Sequence, residues 1–189
     1  MGASGDMLMS AFLELHENPD KFIEKLNSLG IPKIRFKKEV EKKCGIMGTH
    51  INVMVDGIEE TERIHKHNIH SEHHHSDLKH IEHIIEHLNL SKKVKNDVIS
   101  VYKIIAEAES SVHGCSIENI HFHEVGTMDA IADIVGVCSL INELNVEKII
   151  ASSVNTGRGQ VKCAHGVLPV PAPATAYILK GIPIYSNNI

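Results

Sequence analysis

The sequence predicts an α/β or α+β domain: a mixed sheet flanked by helices, with one histidine-rich mobile loop. Three observations carry this. Ile34 and Phe36, then Ile51, Val53 and Val55, alternate with polar residues, the period of half-buried strands. Residues 77–113 hold two blocks with apolar side chains at helical spacing. The last third mixes short apolar runs with glycine loops and lacks regular βαβ alternation, so a doubly wound parallel sheet is not indicated.

Each element follows in order. "MGASGDMLMSAFLEL" is a Gly/Ser turn running into a helix with Met7, Ala11, Phe12 and Leu15 at helical spacing. "PDKFIEKLNSLG" is a second helix that starts near Pro19 and stops at Gly30. The two strands that follow turn near Gly45 to Gly48. Residues 57–76, "GIEETERIHKHNIHSEHHHS", show no hydrophobic period and read as the mobile loop. Ser76 then caps a helix with the stripe Leu78, Ile81, Ile84, Ile85 and Leu88. Ser91 caps the next, Gly114 ends it, and Val94, Val98, Val101, Ile105, Ala108 and Val112 line one face. "IENIHFHEVGT" is a short strand and turn, and Thr127 caps the apolar helix after it. Short strands, a helix starting at Pro173 and the strand "IPIYS" close the chain.

Composition narrows the function. A hydrophobic fraction of 42% and a charged fraction of 23% over 189 residues are ordinary for a folded globular chain. A net charge of -5 supplies no basic field for nucleic acid or anionic lipid. No apolar run is long enough to span a membrane. Four scattered cysteines without a CxxC pair argue for free thiols in a reducing cytoplasm. The anomaly is 15 histidines, which makes metal the first hypothesis.

Four stretches carry candidate chemistry. In "HFHEVGTMDAIADIVG", His121 and His123 share one side of an extended segment, Glu124 and Gly126 lead into a helix, and Asp129 and Asp133 lie one turn apart. Buried carboxylates need a cation or another partner; a first-turn position favouring the helix dipole explains Asp129 but not Asp133. In "KCAHG", Cys163 and His165 share a side, a soft pair suited to nickel, zinc or copper, or else a buried thiol beside a hydrogen-bonded histidine. His65, His67, His70, His73, His74 and His75 form a tract continued by His80, His83 and His87; such a tract collects metal loosely or is simply a solvated linker. Last, Gly2, Ser4 and Gly5 leave N–H groups at a helix start, with Asp6 beside them, and Arg158 sits between two glycines in "NTGRGQ". Both fit phosphate, and both are also ordinary turns.

Taken together, "GASGDM", the histidine-rich loop, "SDL", "AEAESSVHG", "HFHEVGTMDAIADIVG" and "GRGQVKCAHGVLPVPAPAT" closely resemble the LarC-type nickel-insertion proteins. The resemblance implies insertion of nickel into pyridinium-bisthiocarboxylic acid mononucleotide, which gives the nickel-pincer cofactor of lactate racemase. It implies a lyase-type metal chelatase that uses magnesium or manganese and cleaves CTP to CMP and pyrophosphate. Family members carry a short strand before the GASGDM turn and continue past "GIPIYS" into a further domain. Residues 1–189 are therefore expected to be one N-terminal domain, a fragment or split subunit that works with the family's C-terminal domain.

Within that frame we expect His121, His123, Cys163 and His165 to handle nickel or the substrate sulfurs. Asp6, Asp129 and Asp133 are expected to hold the hard cation and its phosphates. Glu124 is expected to act as general base, taking the pyridinium proton as nickel replaces it; Glu124, His123 and Asp129 are the expected catalytic residues. Gly2, Ser4, Gly5 and Arg158 are expected to hold phosphate. Two other functions fit: a nickel delivery or storage module built on the tract at 65–76, and a magnesium-dependent nucleotide hydrolase. Homo-oligomerisation stays open.

Overall fold

A computed structural model describes residues 4–59, 76–122, 125–163 and 166–187. Its architecture is α+β, with small sheets of mixed topology. Helices α1 (Gly5–Leu13) and α2 (Pro19–Asn27) come first. Strands β1 (Ile34–Lys43) and β2 (Ile46–Val55) then form an antiparallel hairpin edged by β3 (Ile58–Glu59). Cys44 and Gly45 turn the hairpin, and Asp56 and Gly57 turn β2 into β3; all four have positive φ, as tight two-residue hairpin turns demand. The register Ile34↔Val55 and Phe36↔Val53 places alternating apolar residues opposite one another, and Ile51 lies opposite Lys38. Buried Phe36, Ile51, Val53 and Val55 form the sheet's inner face.

Helices α3 (Leu78–His87) and α4 (Lys92–His113) pack on each other, and α5 (Met128–Leu144) packs against α1, β2 and α4. The caps of α4 and α5 stand as predicted: Ser91 accepts from Val94 N at 3.3 Å and Thr127 from Ala130 N at 3.3 Å. Gly114 closes α4 at φ 63. The α3 cap differs. Asp77, not Ser76, accepts from His80 N at 2.7 Å. Ser76 is buried and forms an isolated antiparallel bridge with Phe122. The strand expected at 121 is no more than this bridge among the described residues. Of the loop expected over 57–76, Ile58 and Glu59 are instead strand β3; residues 60–75 lie outside the described residues.

One helix buries a different row from the predicted one, and another buries only part of its predicted row. In α1, Met9, Ser10 and Leu13 are buried while Met7 and Leu15 are exposed. The cause is a close crossing with α5. A Cβ on Gly5 would lie 2.6 Å from Asp133 Oδ2, and one on Gly136 would meet the Met9 side chain. The contact row of α1 is therefore 5–9–13, and its first member is a glycine that no apolar pattern registers. In α4 the predicted Val94, Val98 and Ala108 are buried, but Tyr102 and Ala106 are buried with them, Val101 and Ile105 are only half-buried, and Val112 is exposed.

Beyond α5 the packing changes character. β4 (Val154–Asn155) pairs in parallel with β7 (Ile184–Tyr185), and β5 (Gln160–Cys163) forms an antiparallel hairpin with β6 (Gly166–Pro169). Helix α6 (Pro173–Ile178), with proline at its start as predicted, rests on α4. Among the described residues none after Leu140 is buried.

Candidate active site

The bridge at Phe122 positions the first site residue. Phe122 N donates to Ser76 O at 2.9 Å. Ile120 and Phe122 are both buried while His121 between them is exposed, so the extended backbone turns the imidazole outward. Gly126 is needed behind it: a Cβ there would lie 2.8 Å from Phe122 Cβ and 3.1 Å from Ser76 Cβ. Tyr102 braces the same corner, its hydroxyl donating to Val125 O at 3.2 Å and its ring 6.0 Å from that of Phe122. Burial, with the Asp133 charge adding to it, pushes the Tyr102 phenol well above its usual range. The hydroxyl therefore stays protonated, a donor and not a base.

His121 opens onto a cavity of ≈ 340 Å³. Cys163 lines it from the end of β5, together with Val161 two residues earlier on the same strand. Phe122, Val125, Leu168 and Ala172 add apolar wall. The structure thus brings together two residues, His121 and Cys163, that are 42 positions apart in sequence. The cavity has two further polar members that the sequence reading gave no role, Glu109 and His113 on α4. They stand one helical turn apart with His113 Nε2 3.4 Å from Glu109 Oε2. Their i,i+4 spacing inside "AEAESSVHG" is the signal that could have singled them out.

The carboxylate side of the predicted site is built differently. Ser4 stands at the N-cap of α1 without a side-chain cap bond, and its Oγ instead donates to Asp6 Oδ1. The Asp133 side chain lies against Gly5 in that first turn. The positive end of α1 therefore faces the Asp133 carboxylate, a partner that the sequence could not reveal. Asp129 sits in the first turn of α5. Arg158 is exposed between Gly157 (φ 67) and Gly159 (φ 105) and does not line the cavity. No group of three or more His, Cys, Asp or Glu close enough to hold a metal ion occurs among the described residues. Gly2, His123, Glu124 and His165 lie outside the described residues, as do the histidines at 65–75. His80, His83 and His87 project from the solvent side of α3, with the last two rings 4.3 Å apart. Among the other thiols, burial and then the nearby Asp97 charge push Cys138 up to about 11, which keeps it a neutral packing residue.

Comparison with known proteins follows the same direction. The family model described as nickel insertion protein matches residues 1–189. A pyridinium-3,5-bisthiocarboxylic acid mononucleotide nickel insertion protein of Clostridium kluyveri is 44% identical over 100% of this chain and 47% of its own length. Proteins of the same name from a Thermotoga species (42% identical, 99% of this chain, 46% of the relative) and Geobacillus kaustophilus (39%, 100% and 45%) are similar. The chain spans about half the length of these relatives. No solved structure matches. No helix among the described residues is long and apolar enough to cross a membrane. With the match running over the whole sequence, the chain belongs to the nickel insertion protein family.

Proposed function

We propose that the chain forms the nickel- and substrate-handling part of a cytoplasmic enzyme that inserts nickel into pyridinium-3,5-bisthiocarboxylic acid mononucleotide. The relatives' names supply the substrate. The observation that carries the reading is the cavity that His121 and Cys163 both line, among apolar walls. Imidazole and thiolate suit nickel, which here is a substrate and not a resident cofactor. The apolar walls offer a face for an aromatic ring, with few polar groups to fix its orientation.

The nickel-pincer product, destined for lactate racemase, and the use of CTP in a lyase-type chelation belong to this proposal. So does cooperation with the remainder of the family polypeptide. His123 and His165 adjoin the cavity residues in sequence and keep the metal roles assigned to them above; Glu124, beside His123 in sequence, is the base that the sequence offers. Asp6, Asp129 and Asp133 are the carboxylates that would serve a magnesium or manganese ion. Without a three-donor cluster among the described residues, that ion would take most of its ligands from nucleotide phosphates and water. It would neutralise phosphate charge during CTP cleavage. Ser4 and Gly5 would meet phosphate at the start of α1, as would Gly2, and Arg158 would reach it from its loop.

The test is nickel insertion with CTP, supplying the rest of the polypeptide in trans from the Clostridium kluyveri relative, with the chain alone as control. Cys163→Ser and His121→Ala proteins that melt normally should insert nickel at least tenfold more slowly, the scale of losing a metal-site contact. Unchanged rates in both would remove the cavity from the reaction. CTP turnover without nickel or the mononucleotide would favour the hydrolase instead.

A further inference from the structure

Glu109 and His113 line the same cavity, yet nickel binding by His121 and Cys163 leaves them without a task. The substrate's chemistry supplies one. Thiocarboxylic groups at positions 3 and 5 of a pyridinium ring flank carbon 4. A nickel ion held by both sulfurs in the ring plane faces the C–H bond of that carbon. Full insertion therefore requires that this hydrogen leave.

We infer that His113, backed by Glu109, and not the Glu124 that the sequence offers, accepts the proton released from this ring carbon. The inference rests on the proposed function and deepens it. The C–H electron pair becomes the nickel–carbon bond, and the proton passes to the His113 imidazole. Nickel stays divalent, so no oxidant or reductant enters. Three features of the structure suit His113 to this step. It lies at the edge of a cavity whose other walls are largely apolar, and its side chain is 38% exposed, so a proton it accepts can pass on to solvent. Glu109 Oε2, 3.4 Å from Nε2, stabilises the imidazolium as it forms, the arrangement of a base oriented by a third group. His113 also ends α4, whose last carbonyls face it before Gly114 closes the helix, and that negative end favours a cation.

The cavity's four titratable residues thereby divide by element. His121 and Cys163 come from the bridge segment and from β5, and their imidazole and thiolate both suit nickel. Glu109 and His113 come from α4, a 22-residue helix that fixes their spacing. A carboxylate beside the cavity also suits a positively charged ring. Proton transfer requires no fixed coordination geometry, so His113 need not stand within bonding distance of the metal donors.

The experiment uses mononucleotide deuterated at carbon 4, with nickel and CTP, in the two-part preparation described above. Nickel uptake and deuterium release are followed separately by mass spectrometry. The unmodified protein should show both together. His113→Gln should bind nickel and mononucleotide but release deuterium about 10²- to 10⁴-fold more slowly, the range for loss of a general base. Sulfur-bound nickel should accumulate on a ring that keeps its deuterium. Glu109→Gln should slow release less, because the base survives without its orienting partner. Both variants should melt at the unmodified temperature. Deuterium release by His113→Gln at the normal rate would overturn the inference while leaving the proposed function standing. So would a folded His113→Gln that takes up neither nickel nor mononucleotide, which would make His113 a binding residue. Absence of insertion by the unmodified protein would remove the proposed function, and this inference with it.

Discussion

Residues 5–144 and residues 145–187 are built by different rules. The first part encloses a continuous core in which Met9, Leu13, Ile51, Ile131, Val135 and Leu140 are fully buried. The second buries none of its described residues and leaves Ile150, Val154, Ile182, Ile184 and Tyr185 exposed. Its parallel pair β4–β7 is open on its faces, whereas parallel strands are normally covered on both. The candidate cavity lies on the seam, with α4 and the bridge at Phe122 on one side and the β5–β6 hairpin and α6 on the other. Stability therefore resides in the first part, while the cavity wall carrying Cys163 belongs to a segment that contributes little to it. Substitutions in the two parts should separate folding from chemistry.

The largest effect should follow truncation within the core. Leu140→Ala removes a fully buried side chain and should cost about 2–5 kcal/mol in a denaturant melt. Ile184→Ala, at 49% exposure, should cost less than about 0.5 kcal/mol in the same experiment. Equal losses at the two positions would abolish the contrast.

Gly5→Ala tests the crossing of α1 and α5. An added methyl would press on Asp133 Cβ and Cγ, at the rigid end of that side chain. Overpacking of this kind costs about 1–3 kcal/mol. In a chain of 189 residues that corresponds to a fall of several degrees in Tm, at about 2–4 °C per kcal/mol. An unchanged melting temperature would mean that the crossing is looser than described.

These tests also mark what the sequence could disclose. Elements with local signals are legible: the Ser91 and Thr127 caps, the Gly114 stop, the β1–β2 alternation and the α3 stripe all follow from residues within a few positions of one another. The row 5–9–13 of α1 is not legible, because its defining contact is a glycine meeting an aspartate from another helix. Ser76 misleads for a similar reason. It has a capping side chain, but a bridge to a residue 46 positions on takes it into the core, and Asp77 caps in its place. At the site, the soft character of His121 and Cys163 is readable from residue type. Their meeting with Glu109 and His113 depends on α6 resting against α4, which no local pattern encodes.

A smaller effect is expected at the start of α5, where the core helix meets the site. Thr127→Ala deletes the cap that accepts from Ala130 N and should cost about 1 kcal/mol. Thr127→Ser, which keeps the acceptor, should restore most of it. If serine restores nothing, the cap contributes nothing and the turn at Gly126 is held by packing alone.

The smallest expected effect is a dependence on pH at the far end of α5. Glu143 Oε2 lies 2.9 Å from His16 Nε2, and Oε1 accepts from Lys25 Nζ. Partial burial works to raise the Glu143 carboxyl, but hydrogen bonds from Lys25 and His16 outweigh it and hold the group below its ordinary value. A carboxylate depressed in the folded state stabilises the fold above its unfolded pKa. That contribution is lost as pH falls through the ordinary carboxylate range and on through the lowered folded value. The pair is partly exposed, with Lys25 at 56%, so solvent screening limits the gain to less than about 1 kcal/mol. Melts of the unmodified protein should therefore lose slightly more stability between neutral pH and the acid side of that range than melts of Glu143→Gln. Parallel curves would show that the link between α1, α2 and α5 is made by packing, with the charges following it. That end of the core half would then be held by burial and not by charge, a sharper contrast still with the open half that completes the cavity.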